Sequence, residues 1–431
     1  MSFVVAAVAI CAGLGWLGFR GRVTTVGVDL GTTFSVVGVN INGKVQIIED
    51  KHGHRIFPSI VAFESSGDVA AVAYDALPYL SLRPQDTIFN AKRFMGGDLA
   101  DPTTQSYAAS HPYKVVPAMT LSNYSKVGFE LSSTPTNANA TVVSPEGVGT
   151  QVLKYLMKVT AAYLGHNQVN KAVIAVPAKF SPEQRAATGE AYKAAGLKVV
   201  RVLEEPTAAA VAYKLHKKSN IHHILVYDFG GGTLDVSLLF VSKGSVQVYA
   251  TDGDETLGGS DLDTCLFHII KGRVEAELGE PLAMKVEGGG SKSSSSSSSR
   301  GSSDASESDE LCASAAIRTK AENAKKQLSS AASTPFACTA PVSGRRIAFD
   351  LTRSDFENGC SALFARGLLP VTRLLTDLDM RKEDVDEVVL VGGTTRIPLV
   401  KQQLRDFFGK DLNDHIDPDI TVAYGAASVL D

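Results

Sequence analysis

Twice in this chain an apolar run ends in an aspartate, passes through glycine and threonine, and enters a second apolar run. The first copy runs from Thr24 to Leu30, with Asp29 near its end, through Gly31, Thr32 and Thr33 into Phe34 to Val39. The second runs from Ile224 to Tyr227, through Asp228, Gly230, Gly231, Gly232, Thr233 and Asp235, into Val236 to Val241. Short apolar runs bounded by glycine read as buried strands. One such unit repeated so far along a chain predicts a duplicated α/β lobe rather than a solenoid. Two similar lobes enclose a cleft, the usual seat of a small ligand.

The segments between the copies fit that plan. Asn42-Gly43 predicts a hairpin to a third strand, Lys44 to Ile48. Helices are expected from Ser144-Pro145, from Ser181-Pro182 and from Pro206, because proline and a small polar residue mark helix starts. Strands are expected at Lys171 to Val176 and Lys198 to Leu203. Residues from about Ile60 to Ala138, rich in Ser, Thr, Asn and Pro, read as an inserted smaller subdomain. Gly288 to Ser308 is a glycine and serine run of too little apolar content to order itself, a surface insert. Beyond it come a helix at Ile317 to Leu328, a strand pair, a long helix from about Arg353 to Leu378, and a strand at Glu387 to Val391. A third glycine turn, Gly392-Gly393-Thr394-Thr395-Arg396-Ile397-Pro398, follows that strand.

Glycine lets backbone N–H groups approach an anion, and threonine hydroxyls add donors. A carboxylate at a strand end suits a hydrated magnesium ion, which takes few protein ligands. The turns therefore read as phosphate hairpins from opposed lobes. Neither G-x-x-x-x-G-K-[ST] nor a G-x-G-x-x-G after the first strand is present, so the cradle is of neither of those kinds. The net charge of −4, with no basic stripe, argues against nucleic-acid binding. Cys11, Cys265, Cys312, Cys338 and Cys360 lie far apart with no C-x-x-C pair, which argues against zinc and predicts isolated buried thiols. Phe3 to Phe19 is an unbroken run of apolar and small residues followed by Arg20 and Arg22, read as a signal or signal-anchor leader. Asn123-Tyr124-Ser125 and Asn139-Ala140-Thr141 are glycosylation acceptors and support a secretory lumen weakly. Ser428-Val429-Leu430-Asp431 is not a lumenal retention signal.

These segments together resemble the ATPase domain of the seventy-kilodalton heat-shock proteins. The matching runs are Gly27 to Thr33, Asn90 to Gly96, Val176-Pro177-Ala178, Glu205 to Ala210, Asp228 to Asp235, Leu257-Gly258-Gly259, Gly392 to Pro398, and Asp417-Pro418-Asp419 through Ala427. The likeness covers about Thr24 to Val429. It implies an α/β, actin-like fold of two lobes, each on a ribonuclease-H-like sheet, with nucleotide between them. The implied division is a leader at 1–22, lobe I at 23–221 with the insert at about 60–139, and lobe II at 222–431. Lobe II would hold a lid at about 257–335 carrying the serine-rich insert of 288–310. No peptide-binding domain is recognised, and an apolar leader without that domain is most like a microsome-associated member of the family.

The resemblance also implies roles. Asp29, Glu205, Asp228 and Asp235 would surround Mg²⁺ and the attacking water, with Asp29 and Asp228 facing the metal largely through water. Lys92 would reach the γ-phosphate. Gly31, Thr32, Thr33, Phe34, Gly230, Gly231, Gly232 and Thr233 would cradle phosphates. Gly259, Glu322, Lys325, Lys326, Ser329, Gly392, Gly393, Thr394, Arg396 and Asp419 would hold ribose and adenine. ATP or ADP with Mg²⁺ are the implied cofactors, and K⁺ is a further candidate. Nucleotide-exchange factors, J-domain proteins and ubiquitin-like proteins are the implied partners of a monomer in the endoplasmic reticulum. Three departures stand out: Phe34 replaces a usual Tyr, Lys326 a usual Arg, and Lys179 a common aromatic. Three functions compete: a slow Mg²⁺-dependent ATPase, a nucleotide-driven binding switch, and a sugar or acetate kinase. The Lys92 and Glu205 segments count against the kinase.

Overall fold

The computed structural model describes residues 22–118, 123–133, 140–279, 281–282 and 311–430. The apolar leader, Asn139 and the serine-rich insert lie outside the described residues. Two sheets organise the rest. The first holds β1 (Thr25–Leu30), β2 (Phe34–Ile41), β3 (Lys44–Ile47), β4 (Lys171–Val176) and β5 (Lys198–Glu204), in the order β5-β4-β1-β2-β3, with Phe57–Pro58 also paired to β2. The second holds β6 (His223–Phe229), β7 (Leu234–Ser242), β8 (Ser245–Asp254) and β9 (Glu387–Val391), in the order β8-β7-β6-β9. Each sheet is an antiparallel three-stranded meander with a parallel strand added beside its first member. The repeated pattern is thus a repeated sheet topology, the mixed α/β architecture expected of the actin-like class.

Side-chain alternation along the strands explains the layers. Val26, Val28, Ala172 and Ile174 face a core shared with α1 (Pro145–Leu164) and α2 (Pro182–Ala194). The alternate residues Val173 and Ala175 face a second core, which also receives Ile224, Val226, Val389 and Val391 from the second sheet. The outer face of that sheet, with Leu225, Tyr227 and Phe229, builds the third core against α4 (Gly259–Leu278) and α5 (Ser314–Leu328). The layer between the sheets is filled by α3 (Glu205–Ala212) and, near the end of the described chain, α7 (Thr421–Ser428); α6 (Pro398–Phe408) packs outside. Local signals set the helix starts. Ser144 caps α1 through Gly147 N–H, and Ser181 forms a capping box with Gln184 at α2. Two small three-stranded sheets, within 60–89 and 114–143, flank the first lobe.

Two expectations are corrected. The long helix from about Arg353 to Leu378 is three helices, Arg353–Gly359, Ser361–Arg366 and Leu369–Asp377, interrupted at Cys360 and around Gly367-Leu368. The isolated thiols are also overturned. Cys265 is bonded to Cys360 and Cys312 to Cys338, with Cα atoms 6.0 and 5.0 Å apart. Separations of 95 and 26 residues hid the pairs, because only tertiary packing brings α4 to the break at Cys360. Among the described residues no helix is long and apolar enough to cross a membrane.

Helices α3 and α7 touch through their smallest residues. A Cβ on Gly425 would collide with the carbonyl oxygen of Ala208, a backbone atom that cannot turn aside. Gly425→Ala is expected to destabilise the chain by about 1–3 kcal/mol, the usual cost of overpacking; an unchanged thermal midpoint would refute this contact. Reducing both disulfides is expected to cost about 2–4 kcal/mol for each bond. Mass mapping of the non-reduced chain and its melting with and without reductant check that.

Candidate functional site

The ends of β1 and β6 place Asp29 and Asp228 at the floor of a cleft between the two sheets. The register is the reason: Asp29 sits opposite Val36 and beside Ala175, while Asp228 sits opposite Asp235 and beside Val391. The cleft is lined by Asp29, Gly31, Thr32, Thr33, Phe34, Lys92, Glu205, Asp228, Gly230, Gly231, Gly232, Thr233, Asp235, Gly392, Gly393 and Asp419, all singled out in the sequence. It also takes Arg93, Pro177, Val391, Pro418 and Val422, which were not assigned. Arg93, Pro177 and Pro418 lie within the quoted motifs, so adjacency was the only available signal for them.

The two threonine–glycine turns meet across the opening. An added Cβ on Gly231 would stand 2.6 Å from Thr33 Oγ1, so a side chain there would have to turn the Thr33 hydroxyl away. The second turn is braced from behind. Gly259 N–H donates to Gly230 O at 3.1 Å, Ser260 N–H to Gly231 O at 2.8 Å, and Thr394 Oγ1 to Gly230 O at 2.9 Å. Lys325 Nζ donates to Gly259 O at 3.0 Å and pairs with Asp263 at 2.8 Å. Gly259, Lys325 and Thr394 therefore support the cradle from the layer behind the cavity wall. Arg396 donates to Asp419, with its Nε at 3.1 Å, and also pairs with Asp417. Glu322 and Lys326 pair with each other at 2.7 Å on the exposed face of α5, and Ser329 Oγ donates to Lys325 O at 3.1 Å. Glu322, Lys326, Ser329 and Arg396 are not part of the cavity wall.

Lys92 is buried, and its Nζ donates to Glu205 Oε1 at 2.8 Å. It leaves a tight turn, Ala91–Phe94, entered through Asn90 at φ 55°. Glu205 occupies the first turn of α3, where the helix dipole favours a carboxylate. Loss of water around Asp29, then the charge of Glu205, pushes its carboxyl up to about 7 against the pull of Lys92. Burial, followed by Glu205, Asp235 and Asp29, drives Asp228 well above the carboxylate range. Burial works to lower the Lys92 amine, but Glu205, Asp29 and Asp228 outweigh it and hold the amine above its ordinary value. The floor thus gathers more carboxyls than Lys92 can neutralise, and Asp29 and Asp228 hold on to protons that a cation would displace. Hard oxygen donors of this kind fit a magnesium ion. Among the described residues no three His, Cys, Asp or Glu side chains converge tightly enough to ligate one directly, so the fit is to an ion that keeps most of its water.

An oxygen-lined cleft between two duplicated α/β lobes, with glycine–threonine turns facing across it, defines the class: a two-lobed protein built to take a phosphorylated ligand. The chain belongs to the family described as Hsp70 protein, which it matches over residues 25–282 and 298–430. It is 38% identical over 404 residues to "Heat shock 70 kDa protein 2" of Paracoccidioides lutzii. That match takes in 93% of this chain and 56% of the relative, so the chain spans little more than half the relative's length.

Asp29 binds its proton more tightly folded than unfolded. Its contribution to stability is therefore most favourable below about pH 4 and is lost as pH rises toward 7. In Asp29→Asn without ligands, the thermal midpoint should fall less than that of the wild type between pH 5 and pH 8. Parallel curves would show that Asp29 titrates normally.

Proposed function

We propose that this chain is a slow, Mg²⁺-dependent ATPase core of the chaperone kind. The observation that carries the reading is the buried Lys92–Glu205 pair set among Asp29, Asp228 and Asp235, at the place where two phosphate-type turns meet. Phosphoryl transfer needs positioning and charge stabilisation above all. Backbone N–H groups of the turns, with the hydroxyls of Thr32, Thr33 and Thr233, bind phosphate oxygens. Lys92 presents its ammonium to the γ-phosphate, and Glu205 holds that ammonium in place. Asp235 orients the attacking water and accepts its proton. Magnesium, when bound, neutralises phosphate charge, and Asp29 and Asp228 are the residues that would hold it through water. Asp419, fixed by Arg396, and Gly393 wall the adenosine end.

A nucleotide-driven binding switch without turnover is the second reading. Lys326 favours it, since a compact ammonium stacks on adenine less well than the planar guanidinium usual there, and it sits paired with Glu322 on the exposed face of α5. An endoplasmic-reticulum site, as for a microsome-associated member of the family, is supported by the apolar leader and by two disulfides, which persist in oxidising compartments. Exchange factors, J-domain proteins and ubiquitin-like proteins are the proposed partners, and assistance to secretory protein folding the proposed task.

ATP turnover with Mg²⁺ by the wild type and by Lys92→Ala is the test. Slow hydrolysis that drops by about 10²-fold or more in the variant supports the ATPase. Absence of turnover with a nucleotide-dependent gain in stability of about 2.7 kcal/mol at a hundredfold excess over Kd, read as a raised thermal midpoint, supports the switch. Neither turnover nor stabilisation sinks both.

A further inference from the structure

Lys92 is not the only amine at the carboxylates. Lys179, in the turn after β4 of the first lobe, places its Nζ 3.3 Å from Oδ1 of Asp235 on β7 of the second. The turn is firmly held. Phe180 N–H donates to Pro177 O at 3.1 Å, and Arg185 of α2 donates to Ala178 O at 2.9 Å and Phe180 O at 3.0 Å. The receiving side makes room for the ammonium. The partner of Asp235 on β8 is Gly253, where an added Cβ would stand 2.6 Å from Lys179 Nζ. Asp252, beside it, is already taken by Arg373 at 2.7 Å. Among the described residues, Lys179 has no other carboxylate within ion-pair distance, and the Asp235 side chain has no other donor. Lys179, Glu205, Asp228 and Asp235 also line a recess behind the main cleft, so the pair closes the far side of the same carboxylate cluster.

Both partners are about a third exposed, at 33% and 39% of the side chain. A pair so wet contributes little to global stability. Its consequence is local. One carboxylate oxygen meets the ammonium carried by a hydrogen-bonded turn of the opposite lobe, and the same Asp235 lines the main cleft. We propose that Lys179 is a positioning residue for hydrolysis, fixing the orientation of Asp235 and tying that orientation to closure of the two lobes. This rests on the reading of Asp235 as the carboxylate that orients the attacking water.

The test compares wild type, Lys179→Ala and Lys179→Arg in the full chain. Misorientation of a reacting group slows the chemical step. Lys179→Ala should therefore lose about tenfold in kcat with KM for ATP within about twofold, and Lys179→Arg, which keeps a cation, should recover most of that loss. Unchanged kinetics, a change confined to KM, or no recovery with arginine overturns the proposal. Pairing is read separately from the melting of nucleotide-free protein. The shift in thermal midpoint from Lys179→Ala should be small, as an exposed pair requires, and should vanish in an Asp235→Ala background; equal non-zero shifts in both backgrounds overturn the pairing. A wild-type chain without turnover overturns the ATPase reading and the hydrolytic role of Lys179 together. An active wild type with unaltered Lys179→Ala kinetics overturns only the latter.

Discussion

Everything at the cleft depends on how closely α3 and α7 pack between the two sheets. Their contact is made by Ala208 and Gly425, with the buried Ala209, Ala426 and Ala427 beside them, and no side chain fits at Gly425. The backbone of α7 also presses on β1 at Gly27, where an added Cβ would meet Ala427. This thin layer brings the carboxyl ends of β1 and β6 toward one opening. With bulkier residues the sheets would splay, Asp29 and Asp228 would separate, and the threonine turns could not meet at Gly231.

Bringing four carboxylates together costs desolvation and repulsion, and the raised Asp29 and Asp228 carboxyls express that cost. Lys92 offsets part of it through Glu205. The rest is stored as an affinity for positive charge, and a nucleotide accompanied by a divalent cation is the kind of ligand that relieves it. The same surplus explains why a second amine, Lys179, settles at the edge of the cluster. Stability here is exchanged for a site poised to bind.

The second lobe is tied by covalent means that the first lacks among the described residues. Cys265–Cys360 joins α4, whose first turn braces the phosphate-type loop, to the break between two helices. Cys312–Cys338 fixes the entry to α5 against the strand at Ser333–Thr339. Both bonds thus hold elements that stand directly behind the cradle.

The amino-acid sequence by itself determined the duplicated strand–Asp–Gly–Thr–strand units, the helix starts at Ser144 and Ser181, the Asn42-Gly43 hairpin and most of the cleft wall. These are local matters of periodicity, capping and turn chemistry, written within a few residues of each other. Only the tertiary structure decided what distant segments do together. It paired Cys265 with Cys360 and Cys312 with Cys338, and divided the segment from Arg353 to Leu378 into three helices. It also set Lys179 on Asp235 from the opposite lobe. Those outcomes turn on distances between residues up to about a hundred positions apart, and no local pattern encodes such distances until both sheets have packed on their common helices.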